Sequence, residues 1–462
     1  MPGIFQTLDI ARRAIWASRL GIDVTSHNIA NVNTPGYSRQ LVNFEAASPL
    51  QLLKGQLGLG VEADDIRRVR NQLLDLQYRQ ANQSLGKNQI KENTLYQVET
   101  ILQEPAENSL GNLLNDFFSE FSNLATEPEN MTIRNVLLQK AIALSDGFRE
   151  KYNRLTETRD SLRSDIENVV NQVNNITREI ADLNAKISVA ESTMGSANDL
   201  RDRRDLLLDQ LSEFVNIQYR EDSEGQFVVT AGGQSLVTGH DYRELSVETD
   251  TETQKLTVTI KGPNDQPLQL RNGRLSGLVE MHNTTIPEII DRLNTLAGKL
   301  IEEVNRVHKF GKGLPVGQPP QSATGLNFFT GSDAASINVS PEIVDNVANI
   351  AASIDGSPGN SDVALTIANL RNRKVFNSNA ETLTDYYNTT ITNLGTDIEV
   401  ARTNRVNQEK LKDQIQNQRN AESGVSLDEE MTQLIKYQRT MEASARIVRV
   451  VDEILNTVIN MI

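Results

Sequence analysis

The chain has 462 residues, 46 Lys and Arg against 61 Asp and Glu for a net charge of −15, four histidines and no cysteine. That length suits about three domains. The negative balance disfavours nucleic acid or an anionic membrane as partner, and the lack of cysteine excludes disulfides, thiolate nucleophiles and Cys-based zinc sites.

His27, His240, His282 and His308 are far apart, so no metal or cofactor is expected. No apolar run reaches the roughly eighteen residues of a membrane span. Met1 to Ile10 lack the charged-then-apolar pattern of a cleaved signal. Aromatic residues make up only 5% of the chain, which favours long helices with narrow seams over a thick core.

Ile4, Leu8, Ala11, Ile15, Ser18, Ile22, Thr25 and Ile29 follow the alternating four-and-three spacing of a coiled-coil seam. This N-terminal helix is expected to stop in the Asn/Pro/Gly cluster of residues 28–40. There Thr34-Pro35-Gly36-Tyr37 suits a type II turn, with Pro at the second position and Gly at the third. Residues 41–71 read as an extended arm with brief strands.

Helical periodicity dominates from about 70 to 213, with breaks at Pro105 and Pro128. Its clearest row is Leu162, Ile166, Val169, Val173, Ile176, Ile180, Leu183, Ile187 and Ala190, a seam that needs a long partner. Tyr387, Ile391, Leu394, Ile398, Ala401, Leu411 and Ile415 are the expected partner row. Asn198-Asp199 is the expected cap of the next helix.

From Ile217 to about Leu278 the period becomes two, with a Gly232-Gly233 turn, which predicts an inserted small β domain. Glu248, Asp250 and Glu252 lack a calcium-loop pattern and read as solvated strand or loop positions. Residues 273–311 return to helix with Pro287 at a helix start, and His308 reads as a helix-end polar contact, having no nucleophile or orienting carboxylate nearby in sequence. Residues 312–362 are rich in loops, with Pro315, Pro319, Pro320, Pro341 and Pro358. Helix resumes near Asp362 and runs to Asn420.

The last stretch, 423–462, begins with Ser426 and Glu429 in capping-box spacing. It carries two apolar rows: Leu434, Met441, Ala445, Val448, Leu455, Ile459 and Ile462, then Ile447, Val451, Ile454, Val458 and Met461. From Leu427 onward such a helix is about 54 Å long, with more apolar face than its own domain can cover, so a partner is expected to order it. The fold class is therefore mainly α, elongated and multi-domain. The expected parts are 1–36 with 423–462 as terminal helices, 37–213 with 282–422 as a helical domain with arm and loops, and 214–281 as the β insertion.

Two stretches carry a resemblance. NIANVNTPGYSRQ at 28–40 is similar to the N-terminal signature of bacterial flagellar rod, hook and hook-associated proteins, and SGVSLDEEMTQLIKYQRTMEASARIV at 423–448 resembles their C-terminal signature. The forms GYSRQ and SGVSLDEE, with parts of 198–217, 273–311 and 328–343, are most similar to the hook-associated branch of the hook–filament junction. Val69-Arg70-Asn71-Gln72 departs from that pattern, where an Arg-x-Tyr-Asp segment is usual.

The resemblance implies a structural component of the flagellum, without catalytic residues or cofactor, exported through the flagellar type III channel to an extracellular location. Implied partners are further copies of the chain in a helical ring, the flagellar hook protein, the next junction protein (hook-associated protein 3) and an export chaperone at the C-terminal region. Implied interface residues are Ile4, Leu8, Ile15 and Ile22 against Leu434, Met441, Val448, Val451, Ile454, Leu455 and Val458, within and between subunits. Asn28, Asn31, Pro35, Gly36 and Tyr37 are implied to set the turn out of the inner layer. Aspartates at 451 and 455 are expected to stop assembly while leaving the monomer folded. A hook or rod component is one alternative, and a binding module using the C-terminal amphipathic helix is another.

Overall fold

The computed structural model describes residues 2–52, 55–102, 109–221, 226–262, 265–316, 321–378 and 380–460. The break expected at Pro105, the loop residues Pro319 and Pro320, and the apolar side chains of Met461 and Ile462 lie outside them. The fold is mainly α and elongated, with a small antiparallel β insertion.

Helix α1 (Pro2–Ala30) leads into an arm of strands β1 (Gln40–Ala46), β2 (Leu50–Leu52), β3 (Gly55–Leu57) and β4 (Val61–Arg68). β1 pairs with β4 and β2 with β3, all antiparallel. Then come α2 (Gln72–Leu102), α3 (Leu110–Thr126), α4 (Met131–Met194) and α5 (Asn198–Phe214). At 64 residues α4 runs about 96 Å. Asn130 caps it, its side chain accepting the N–H groups of Thr132 and Ile133.

The β insertion holds two sheets. One is β5 (Ile217–Glu221), β6 (Phe227–Ala231), β7 (Gln234–Thr238) and β8 (Asp241–Tyr242) in sequential order; the other is β9 (Leu245–Thr249), β10 (Leu256–Ile260) and β11 (Gln266–Pro267), with β10 central. Gly232 and Gly233, with φ of 54° and 84°, make the β6–β7 turn in the left-handed region that two-residue hairpins require.

Helices α6 (Arg274–Glu280) and α7 (Ile286–His308) are continuous through one π turn, Met281–Thr285. Pro287 lies in the first turn of α7, as expected, and the π turn runs directly into it. Proline has no N–H to donate to the preceding turn, and a widened turn accommodates that loss. Asn283 in the π turn uses its side-chain amide on β10, accepting from Leu256 N–H at 2.9 Å and donating to its carbonyl at 2.7 Å.

Beyond α7 lie β12 (Phe329–Thr330), β13 (Asn338–Val339), α8 (Pro341–Asp345), α9 (Asp362–Ala368), α10 (Leu383–Ser423) and α11 (Leu427–Ile459). Phe117, Phe118, Phe121, Phe328 and Phe329 form the aromatic centre of this end of the molecule, with ring centroids 4.9–5.6 Å apart.

The long apolar row of α4 is buried, but α10 does not cover it. Strands of the insertion cover part of it: Asn174 bonds both the N–H and the carbonyl of Leu245, and Asn184 donates to the Gly239 carbonyl. α10 lies along α2 instead, fastened by Arg405 to Glu92 and by the Tyr387 hydroxyl to the Leu102 carbonyl. Heptad spacing specifies a continuous stripe and leaves open what lies on it.

Arg134 is fully buried on α4 and donates to the carbonyls of Pro128, Val347 and Ile350, with no carboxylate in contact among the described residues. Burial pushes its guanidinium down to about 10. Arg134→Met strips three buried carbonyls of a donor at ~1–3 kcal/mol each, partly offset by no longer burying a cation. A net loss of about 2–4 kcal/mol is expected in urea unfolding, and an unchanged midpoint would mean that water replaces the guanidinium.

Candidate functional site: the terminal helix pair and its collar

α1 and α11 pack antiparallel, bringing the two ends of the chain together. The orientation follows from two contacts: Asn28 meets Glu430, and Gly21 meets Tyr437, whose ring would lie 2.9 Å from a Cβ at position 21. On α11 the inward row is Glu430, Leu434, Tyr437, Met441, Ser444, Val448, Val451, Leu455 and Val458, all buried or half-buried. On α1 the seam is thin. Ala11, Ser18, Gly21, Thr25 and Asn28 are buried, and Ile4, Leu8, Ile15 and Ile22 are half-buried beside them.

This divides the two expected apolar rows differently. Val451 (5% exposed) and Val458 join Leu434, Met441, Val448 and Leu455 facing α1, whereas Ile447, Val450, Ile454 and Ile459 are 44–67% exposed. Ile454 is thus left about half exposed in the single chain. Aspartate at 451 and 455 would charge the chain's own seam and unseat α11 in the monomer, contrary to the expectation from sequence. Trp16, 71% exposed, borders a groove of about 510 Å³ between α1 and β4, with Ala17, Leu20, Val61 and Ala63 on its walls.

The turn after α1 has the predicted geometry. Gly36 has φ of 80°, and Tyr37 N–H donates to the Thr34 carbonyl at 3.2 Å. A Cβ at Gly36 would lie 3.1 Å from Leu206, so the glycine also permits close approach of α5. Asn31 secures the helix end, donating to the His27 carbonyl and accepting from the Thr34 hydroxyl. Pro35 is exposed.

Asn28 is the centre of the site. Its amide nitrogen donates to the Gln40 carbonyl and to Glu430 Oε2, both at 2.9 Å, while its oxygen accepts Gln40 N–H at 2.9 Å and the Tyr37 hydroxyl at 2.8 Å. That fills the capacity of the amide. Burial, with Asp199, Asp202 and Glu430 nearby, pushes the Tyr37 hydroxyl well above the usual phenol range, so it stays a donor. Glu430, 2% exposed, also accepts from Arg39 Nε at 2.7 Å.

Glu429 pairs with Arg39 as well, and Ser426 makes no side-chain cap bond. The capping box expected from the spacing is absent because these acids serve the arm. The Asn198 cap is absent for a similar reason: its amide reaches Gln40 Oε1 and the Ile66 carbonyl.

Beneath this knot lies a buried collar of alternating charge. Ser38 donates to Asp202 from both N–H and hydroxyl, Arg68 bridges Asp202 and Asp205 at 2.8 Å, Arg70 holds Asp75 at 2.7 Å, Arg79 holds Asp209 at 2.6 Å, and Arg419 reaches Asp209 and Asp75. Four arginines meet four aspartates from the arm, α2, α5 and α10. Burial raises the Asp205 carboxyl, but Arg70, Arg79 and Arg68 outweigh it and hold it at about 2. Around Asp202 burial prevails, and its carboxyl lies above the ordinary value despite Arg68 and Ser38. Such a collar fixes geometry more than it adds stability, since paired buried ions repay little beyond their desolvation. It ties the arm to α2, α5 and α10.

Of the residues named from sequence, the structure brings Asn28, Gly36 and Tyr37 together beside the apolar seam, and it adds Glu430, Arg39, Gln40 and the collar, which were not singled out. The alternating charges of 199–209 look like a solvated face, and only their packing against Arg68, Arg70 and Arg79 distinguishes them. Among the described residues no group of three or more His, Asp or Glu could hold a metal ion, and no helix is long and apolar enough to cross a membrane.

Comparison with known proteins gives three family matches. "Flagellar hook-associated protein FlgK helical domain" matches residues 95–329, "Flagella basal body rod protein" 8–37, and "Flagellar basal body rod FlgEFG protein C-terminal" 416–461. Flagellar hook-associated protein 1 of Bacillus subtilis is 31% identical over 100% of this chain and 99% of its own length; that of Escherichia coli is 23% identical over 96% and 97%. The structure of the flagellar hook junction protein FlgK from Burkholderia pseudomallei shares the fold, with a TM-score of 0.65 and 16% identity over 76% of this chain and all of that one.

Proposed function

This chain belongs to the flagellar hook-associated protein 1 family, structural proteins of the hook–filament junction, and on that premise we propose that its terminal helix pair is the surface by which copies join into a ring between hook and filament. The observation that carries the reading is the surplus face of α11. One apolar row is satisfied by α1, and a second, Ile447, Val450 and Ile454, stands exposed beside it. Scattered exposed apolar residues are ordinary, but a row along one helix flank marks an interaction surface.

The proposal assigns Ile4, Leu8, Ile15, Ile22, Leu434, Met441, Val448, Val451, Leu455 and Val458 to the seam within the subunit, and Ile454 with its exposed neighbours to contacts between subunits. Asn28, Asn31, Pro35, Gly36 and Tyr37 set the departure of the arm. The three-part division at 36, 213, 281 and 422 belongs to the same reading. The remaining partners are the hook protein on one side, hook-associated protein 3 on the other, and an export chaperone at the C-terminal region before passage through the type III channel. The protein acts by assembly and not by catalysis.

Electron microscopy of cells lacking the protein tests this. Hooks without filaments, with filament subunits released into the medium, are the expected result. Absent hooks would move the protein inward to the rod.

A further inference from the structure

We propose that Glu430, together with Tyr437, sets the axial register of α11 on α1, selecting one alignment among several that the apolar seam would accept. The inference concerns the single chain and rests on the assembly reading only for its consequence.

The inward row of α11 repeats with heptad spacing. Half of it, Leu434, Met441, Val448 and Leu455, is uniformly apolar, and Leu8, Ile15, Ile22 and Ile29 on α1 recur at the same seven-residue interval. Sliding α11 by one heptad therefore sets like against like along this half. The small residues Ala11, Ser18 and Thr25 add little discrimination. Such a seam defines an axis of contact and leaves the position along it weakly specified.

Two contacts remove that freedom. Glu430 is held by Asn28 and Arg39, and the Tyr437 ring lies in the notch that Gly21 leaves open. Asn28 follows Gly21 by one heptad and Glu430 precedes Tyr437 by one heptad, so in an antiparallel pair both contacts demand the same alignment. A slide one way sets the Glu430 carboxyl against Gly21, away from both its donors. A slide the other way sets Tyr437 against Asn28, leaves the Gly21 notch to the smaller Ser444, and takes the carboxylate from Arg39. A single polar group that specifies register at some expense of stability is a recognised use of buried polarity in helix pairs. Glu430 is thus a positioning residue, and it fixes how far Ile447, Val450 and Ile454 stand from the turn at 34–37.

The chain has no cysteine, so nitroxide labels on Ser26→Cys and Arg446→Cys, both at exposed positions, report the register alone. Pulsed EPR on the monomer is expected to give one distance for the parent and for Glu430→Gln. Glu430→Leu, and more so Glu430→Leu with Tyr437→Ala, is expected to add a population displaced by about 10 Å, one heptad at 1.5 Å per residue. A single parental distance in the double variant overturns the proposal. So does a broad distribution with loss of helical circular dichroism, because Glu430 would then hold the helix and not its register. A failure of Glu430→Leu chains to build filaments, without a displaced population, bears on the assembly reading and still overturns this one.

Discussion

Val450→Asp combined with Ile454→Asp is expected to leave a folded monomer that no longer assembles. Both side chains are about half exposed on α11, so the aspartates cost the monomer only helix propensity, ~0.5 kcal/mol each, and a small end-of-helix charge penalty. In the proposed ring the same positions would be covered. There the variant loses roughly 1.5–3 kcal/mol of apolar burial per site and must desolvate two carboxylates at several kcal/mol each. Circular dichroism and unfolding midpoints close to the parent, with hooks that bear no filaments in a complemented strain, are the expected pair of results. Normal filaments would place the contact surface elsewhere. Aspartates at 451 and 455 make the useful contrast, because they charge the seam against α1 and should lower the protection of α11 already in the monomer.

Acid is expected to loosen the far end of the helical domain through His308. The imidazole is 1% exposed, its Nδ1 bonds the Leu326 carbonyl at 2.8 Å, and its Nε2 accepts Ala351 N–H at 2.9 Å. Both nitrogens are therefore satisfied by one neutral tautomer, and a second proton would point at another donor. Burial lowers its pKa to about 4, and the Arg134 guanidinium acts in the same direction against the Leu326 carbonyl. Arg134 itself holds Val347 and Ile350, so the guanidinium and the neutral imidazole close on one segment.

The unfolded chain takes up its proton near pH 6.5 and the native state only near 4. Stability is thus lost as pH falls through that window, by up to roughly 3 kcal/mol. His308→Gln keeps an acceptor and a donor but cannot titrate. Its urea midpoint should lie below the parent at pH 7 and approach it by pH 4.5. Parallel pH profiles for the two proteins would remove His308 from the acid response.

Residues 34–37 show what was legible. Pro35 sets φ for one turn position and Gly36 supplies the left-handed one, so local chemistry decides the reversal wherever the segment lies. The period-two stretch after Ile217 is read in the same way, because alternation of side chains is a property of the strand itself. Pro287 shows the limit, since it marks the first turn of α7 but does not reveal the π turn that joins α7 to α6.

The sequence by itself determined that both ends are helical, that their seams repeat in heptads, where the chain reverses, where strands replace helices, and which family signatures flank the whole. Only the tertiary structure decided that strands cover part of α4, that α10 lies on α2, that Val451 faces inward while Ile454 faces out, and that Glu430, Asp75, Asp202 and Asp205 are buried beside arginines. The reason is physical. Periodicity and turn chemistry act within a few residues, whereas the partner of an apolar stripe or a buried charge is chosen by which surfaces the completed fold brings together, here across some 400 positions between Asn28 and Glu430.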